Sequence, residues 1–270
     1  VDLTEQHRLA RAKINQRLLR ARGALSLFTE AVCKDDHGEP LVLSTMHAQW
    51  IAHLRYCWDR GLKAVVLAHF GSGKSSTLAV PLAAWALGHD PNKRVKIVTN
   101  DDGNAVRRVA GIERIFESHA YRAMFRGVRR GKVWKDHELF LQRPGHALDP
   151  SVHARGVFTT GIGGRADLLI FDDVVDQKNA FDVGQRKKVL DLIEQTWLSR
   201  LEPDGKVLYI ATLWHMDDAT HHLMKRPGWC TLTQRVADNC ATIEQEVSGA
   251  GPDYGWVGQG VQVPELVAGD

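Results

Sequence analysis

Little in this chain would hold it together covalently or seat it in a membrane. Its four cysteines, Cys33, Cys57, Cys230 and Cys240, form no Cys-x-x-Cys pair, and a chain of 270 residues can bury a sizeable core without staples. Reduced, cytoplasmic thiols are therefore expected. Cys230 follows His221 and His222, but not at the spacing of a zinc site. No apolar run approaches the ~20 residues of a spanning helix. The longest, Leu78 to Leu87, is interrupted by Pro81, and no secretory signal precedes it. Neither sign of charge dominates: 35 Lys and Arg stand against 32 Asp and Glu, for a net charge of +3. That balance excludes a histone-like binder but leaves room for a local basic patch. Internal repeats and low-complexity tracts are absent. The chain opens at Val1 without Met and stops at Asp270, as expected of a piece of a longer protein.

What is present is a phosphate loop. The apolar run Val65-Val66-Leu67-Ala68-His69-Phe70 breaks into Gly71-Ser72-Gly73-Lys74-Ser75 and then into Ser76-Thr77-Leu78-Ala79-Val80, the order of a buried strand, a loop and a helix. The glycines let backbone N–H groups close around phosphate oxygens, and the helix adds its positive end. Gly71, Ser72, Gly73, Lys74, Ser75 and Ser76 are thus candidate ATP-binding residues, with Lys74 on the outer phosphates and Ser75 on Mg²⁺. The full pattern asks for Gly where this chain has Ala68.

Two further buried-strand patterns supply partners. Ala166-Asp167-Leu168-Leu169-Ile170-Phe171 ends in Asp172-Asp173. Asp172 is placed to hold Mg²⁺, and Asp173, on the opposite side of the pleat, to orient and deprotonate an attacking water. Lys206-Val207-Leu208-Tyr209-Ile210-Ala211 ends in Thr212, a polar strand tip of the kind that senses a γ-phosphate. Arg165 precedes the acid pair and is the first candidate for an arginine that reaches the nucleotide of a neighbouring subunit; Arg155 is the second. A salt bridge with Asp167 or another acid is the ordinary alternative.

These residues resemble the large terminase subunit of tailed double-stranded DNA phages, in its N-terminal packaging ATPase domain. The resemblance rests on Gly71-Ser72-Gly73-Lys74-Ser75, on Gly164-Arg165-Ala166-Asp167-Leu168-Leu169-Ile170-Phe171-Asp172-Asp173, and on Ala211-Thr212-Leu213-Trp214-His215-Met216-Asp217-Asp218. It covers residues 46–218. It implies that Gln49 reads the adenine edge, an amide being able to donate and accept at once. It implies further a homo-oligomeric, pentameric ring on the portal protein, a small terminase subunit and double-stranded DNA as partners, and a place in the cytoplasm of an infected bacterium, transiently docked on the procapsid. A metal-dependent nuclease domain would lie beyond Asp270. Three departures stand out: Phe70 and Leu213 where many relatives carry arginine, and Asp173 where many carry glutamate.

Elsewhere the spacing predicts helices over 4–28, 45–59 and 190–201, the last closing at Pro203-Asp204-Gly205. Val95–Thr99 reads as a strand whose successor, Asn100-Asp101-Asp102, caps a helix to Glu117. Asn100 would then face the DNA channel or the next subunit. Arg122, Arg126, Arg129, Arg130, Lys132 and Lys135, with Phe125 and Trp134 interleaved, suit backbone contacts to DNA; a solvated hairpin turn explains them equally well. A last strand is expected from Cys230 to Val236. The expected architecture is an α/β P-loop NTPase of the additional-strand, RecA-like type, a mostly parallel sheet with helices on both faces. Residues 1–44 would form a helical arm, 45–245 the ATPase domain and 246–270 a linker. A helicase-like translocase and a nucleotide-gated binding module with little turnover are the alternative functions.

Overall fold

Side chains alternate between two hydrophobic cores along the central strands. Ala64 and Val66 pack on one side of the sheet and Val65 and Leu67 on the other; Leu168 and Ile170 oppose Leu169 and Phe171 in the same way. This two-residue period, apolar on both faces, is that of a parallel sheet covered twice. The computed structural model describes residues 3–35, 37–144, 148–159, 163–234 and 241–244.

The strands are β1 (Lys63–Leu67), β2 (Val95–Thr99), β3 (Arg130–Lys135), β4 (Glu138–Leu141), β5 (Val152–Gly156), β6 (Ala166–Asp172), β7 (Leu201–Ala211), β8 (Trp229–Gln234) and β9 (Ala241–Glu244). The helices are α1 (Leu3–Gly23), α2 (Leu25–Val32), α3 (Thr45–Asp59), α4 (Val80–His89), α5 (Asp102–Glu117), α6 (His119–Met124), α7 (Gln177–Ala180), α8 (Val183–Asp191) and α9 (Ala219–Met224). One sheet runs in the order β3-β4-β5-β2-β6-β7-β1-β8-β9. Its pairs from β5 through β8 are parallel, and β3, β4 and β9 add antiparallel edges. β7 therefore lies between β1, which leads to the phosphate loop, and β6, which leads to the acid pair.

Three boundaries differ from expectation. The helix expected over 4–28 is two, because Ala24 is extended at φ −134° and separates the polar α1 from α2, which buries Leu25 and Phe28. The helix expected from Leu190 begins earlier, where the Asp182 carboxylate accepts from the Gln185 N–H, and it continues through a π-helical turn (Leu192–Trp197) and a 3₁₀ turn (Leu198–Arg200). Pro203-Asp204-Gly205 does not end it; these residues sit inside β7, where the pairing with β6 jumps from Ala166↔Leu201 to Leu168↔Lys206. Proline removes a ladder donor, so it falls where the ladder is already interrupted. The basic patch divides between α6, the loop after it and the β3–β4 hairpin, where Arg130 stacks 4.2 Å from the Trp134 ring and pairs with Glu117 at 3.3 Å. No helix among the described residues is long and apolar enough to cross a membrane. Residues 235–236 of the expected last strand and the expected linker lie outside the described residues.

Candidate active site

Parallel strands deliver their carboxyl ends to one rim of the sheet, and the three predicted segments meet there. Gly71 and Gly73 take φ of 76° and 78°, backbone that glycine adopts freely. Ser76 and Thr77 both donate to the Gly73 carbonyl, at 3.1 and 2.7 Å, and the Ser72 hydroxyl donates to the His69 carbonyl at 2.8 Å. Lys74 is 4% exposed. Its Nζ donates to the carbonyls of Ala68 and His69, each at 3.0 Å, and to Thr212 Oγ1 at 2.9 Å. Burial lowers the Lys74 pKa, against the opposing pull of Asp173 and Asp172.

Ser75 Oγ donates to Asp172 Oδ1 at 2.8 Å. Asp172 closes β6 and is 1% exposed. Asp173 then leaves the strand at φ 49°, a left-handed conformation that aspartate tolerates better than most residues. Its Oδ1 accepts the Thr212 N–H at 3.1 Å. Burial raises the Asp173 pKa above the usual carboxylate range; Lys74 opposes the shift and Asp172 adds to it. Beyond Thr212 the chain exposes Leu213, Trp214 and Met216 on the rim. The rest of that run is a turn: buried Asp218 accepts from the His221 N–H at 3.0 Å and starts α9, while Asp217 pairs with His222 and Arg186.

Two residues in this cluster were not anticipated. Arg108 of α5 pairs through Nε with Asp172 Oδ2 and donates from Nη2 to Ser75 Oγ at 2.9 Å. His47 of α3 accepts the Ser44 N–H at Nδ1, 3.0 Å, and its Nε2 lies 3.1 Å from the Ser72 carbonyl. A carbonyl can only accept, so Nε2 carries the proton and the first turn of α3 is tied to the loop. Ser44 and His47 form a capping box at the start of α3, with His where Glu or Gln is usual; nothing in the linear order marked Arg108.

The remaining predicted residues lie apart to different degrees. Gln49 is half-buried on α3, and its Oε1 is buried with no hydrogen-bond partner among the described residues. Arg165 is exposed just before β6 begins, roughly 20 Å of strand away from Asp172, with its N–H on Asp149 Oδ2 at 3.2 Å. Arg94, not Arg165, pairs with Asp167, at 2.9 Å. Arg155 on β5 donates to His153 Nε2 at 3.2 Å. Asn100 is engaged within the chain, by Asp176 at 2.9 Å and Asn104 at 2.6 Å.

A serine hydroxyl beside a carboxylate is a hard oxygen donor pair of the kind Mg²⁺ takes, and a buried lysine beside a glycine-rich turn suits a polyphosphate. Both groups fit these residues. With β7 interposed between the phosphate-loop strand and the acid strand, the architecture is that of a P-loop NTPase of the additional-strand, RecA-like class.

Comparison with known proteins agrees. The large terminase subunit of Enterobacteria phage T3 is 27% identical over 154 residues, 56% of this chain and 25% of that protein. The crystal structure of the HK97 bacteriophage large terminase matches with a TM-score of 0.53 at 13% identity, over 75% of this chain and 40% of that one. The large terminase of a thermophilic bacteriophage matches with a TM-score of 0.50 at 14% identity, over 74% of this chain and 47% of that one. No protein-family model matches the chain. The chain is thus similar to phage large terminases in sequence and in fold, and spans a quarter of the length of the curated relative it matches.

Proposed function

We propose that this chain is the ATP-hydrolysing motor domain of a phage large terminase, driving double-stranded DNA into the procapsid. The observation that carries the proposal is the convergence of Lys74, Ser75, Asp172, Asp173 and Thr212, drawn from segments up to 138 residues apart, on one rim of a sheet of this class. Mg²⁺, when bound, supplies positive charge against the β- and γ-phosphates; Ser75 and Asp172 would hold it. Lys74 and the loop amides of Gly71 to Ser76 bind the phosphates, and to do so Nζ exchanges its carbonyl contacts for phosphate oxygens. Asp173 takes the proton of the attacking water, and a raised pKa brings that carboxylate nearer the strength a general base needs at neutral pH. Because aspartate is one methylene shorter than glutamate, the water must approach β6 closely. Thr212 touches Lys74 with its hydroxyl and Asp173 with its amide, so it registers departure of the γ-phosphate. The free Gln49 Oε1 supports a role at the adenine edge. Arg165, remote from its own cluster, is assigned to a neighbour's nucleotide in a pentameric ring. Portal protein and small terminase subunit are the assigned partners, in the infected cell's cytoplasm, with DNA cleavage left to the rest of a longer chain.

The test is phosphate release with and without double-stranded DNA. DNA-stimulated release by the native chain and its loss in Lys74→Ala support the proposal. Release by Lys74→Ala at the native rate would remove the site, and ATP binding without release under either condition would favour a binding module.

A further inference from the structure

Under the phosphate-loop strand, on the α3 face of the sheet, three buried side chains from distant parts of the chain converge. His53 and Cys57 lie one turn apart on α3, and Cys230 projects from β8; their ligand atoms all lie within 4.8 Å of one another. All three residues are buried, with Cys57 fully so and His53 3% exposed. We propose that His53, Cys57 and Cys230 form a structural site for a thiophilic divalent cation of the Zn²⁺ type.

Spacing, donor chemistry and charge agree. Cys57 Sγ stands 3.5 Å from His53 Nε2 and 3.8 Å from Nδ1. Two ligands of one tetrahedral zinc ion, at about 2.0–2.1 Å for nitrogen and about 2.3 Å for sulfur, are separated by roughly 3.5 Å. His53 Nε2 donates to the Cys230 carbonyl at 3.1 Å, which orients the ring as a metal-bound imidazole is oriented and leaves Nδ1, 3.8 Å from Cys57 Sγ, to ligate. Two sulfurs and an imidazole select a soft ion over Mg²⁺. Two thiolates cancel the charge of a divalent ion, so the loaded centre is neutral and belongs in a core where a single charge would not. Binding exchanges two thiol protons for the ion and releases both to solvent, so affinity falls as the pH falls. The ion would join α3, which carries His47 and Gln49, to β8, which pairs with β1.

The experiment uses the full chain, reduced and then freed of reductant, titrated with Co²⁺ and Zn²⁺. Expected are one equivalent of bound ion, sulfur-to-cobalt charge-transfer absorption with the visible bands of a tetrahedral centre, displacement of Co²⁺ by Zn²⁺, and proton release. Cys57→Ser and His53→Ala should each lower affinity by at least about 10-fold. Cys33→Ala/Cys240→Ala leaves the three ligands in place and has to keep the bands. The proposal is overturned if the native chain shows no charge-transfer band. It is equally overturned if the bands vanish in Cys33→Ala/Cys240→Ala, if they persist in a folded Cys57→Ser/Cys230→Ser chain, or if peptide mapping finds a Cys57–Cys230 disulfide in place of the ion.

Discussion

The two ends of β6 carry the same residue type in opposite electrostatic states. Where the strand begins, Asp167 accepts two side-chain bonds from Arg94, each at 2.9 Å, and the Arg94 N–H at 2.7 Å; Glu202 takes a further bond from the same guanidinium at 2.8 Å. Burial works against the Asp167 carboxylate, yet Arg94 holds it below its usual range, and Asp167 in turn raises the arginine. Where the strand ends, Asp173 is raised and Lys74 lowered, each displaced toward its neutral form by burial that its partners do not offset. The first end is arranged so that its charges stay fixed. The second holds charge that a phosphate and a water could exploit, with a left-handed Asp173 as part of its cost.

That contrast fails most visibly if the second end does no chemistry. Lys74→Ala should reduce phosphate release to background, since Nζ is the ammonium placed on the phosphate side of the loop. Asp173→Asn should slow hydrolysis by about 10²–10⁴-fold with nucleotide binding retained, as judged by a fluorescent ATP analogue; asparagine tolerates the left-handed backbone, so the fold is spared. Arg108→Ala leaves the buried Asp172 without its guanidinium and should cost about 2–3 kcal/mol in denaturant unfolding. At the fixed end, Asp167→Ala should cost roughly 1–2 kcal/mol, because Arg94 keeps Glu202 and some solvent, and should leave release rates unaltered. A fall in turnover there, as large as that for Asp173→Asn, would erase the distinction between the two ends.

The smallest effect concerns His153 on β5. Its pKa is lowered to about 4, from 6.5, by burial and then by Lys96, Arg155 and His137, with Asp149 opposing; Glu138 lies 3.7 Å away. The unfolded chain takes up this proton near pH 6.5 and the folded chain only near 4. The stability His153 contributes is therefore complete above 6.5 and is lost as the pH falls toward 4. His153→Gln should flatten the decline of the thermal midpoint over that interval, and an unchanged slope would show that this histidine titrates normally.

Much of the sheet was legible because its strands are written as apolar runs with polar or glycine-rich ends. β1, β2, β6 and β7 could be placed, and with them Lys74, Ser75, Asp172, Asp173 and Thr212, since a parallel sheet collects strand ends on one rim. Arg108 was not legible: its place depends on how α5 lies across β6, and one basic residue on an amphipathic helix looks like any other. The His53–Cys57–Cys230 cluster was hidden for a related reason, as its members are 177 residues apart and join only when β8 is laid beside β1. Local propensity also misplaced the start of β7, expected at Lys206 and found at Leu201. Pro-Asp-Gly ordinarily makes a turn, and here it makes an irregularity within a strand because pairing with β6 continues on either side.

Thr212 sits just past the end of β7, between two opposite charges. The same residue grips the ammonium with its hydroxyl and the carboxylate with its amide, and two positions later the backbone delivers an indole, then a thioether, to the outer lip of the molecule. A tug of a fraction of an ångström at the inner end would be handed along that short span to Trp214, whose emission should change colour as nucleotide comes and goes.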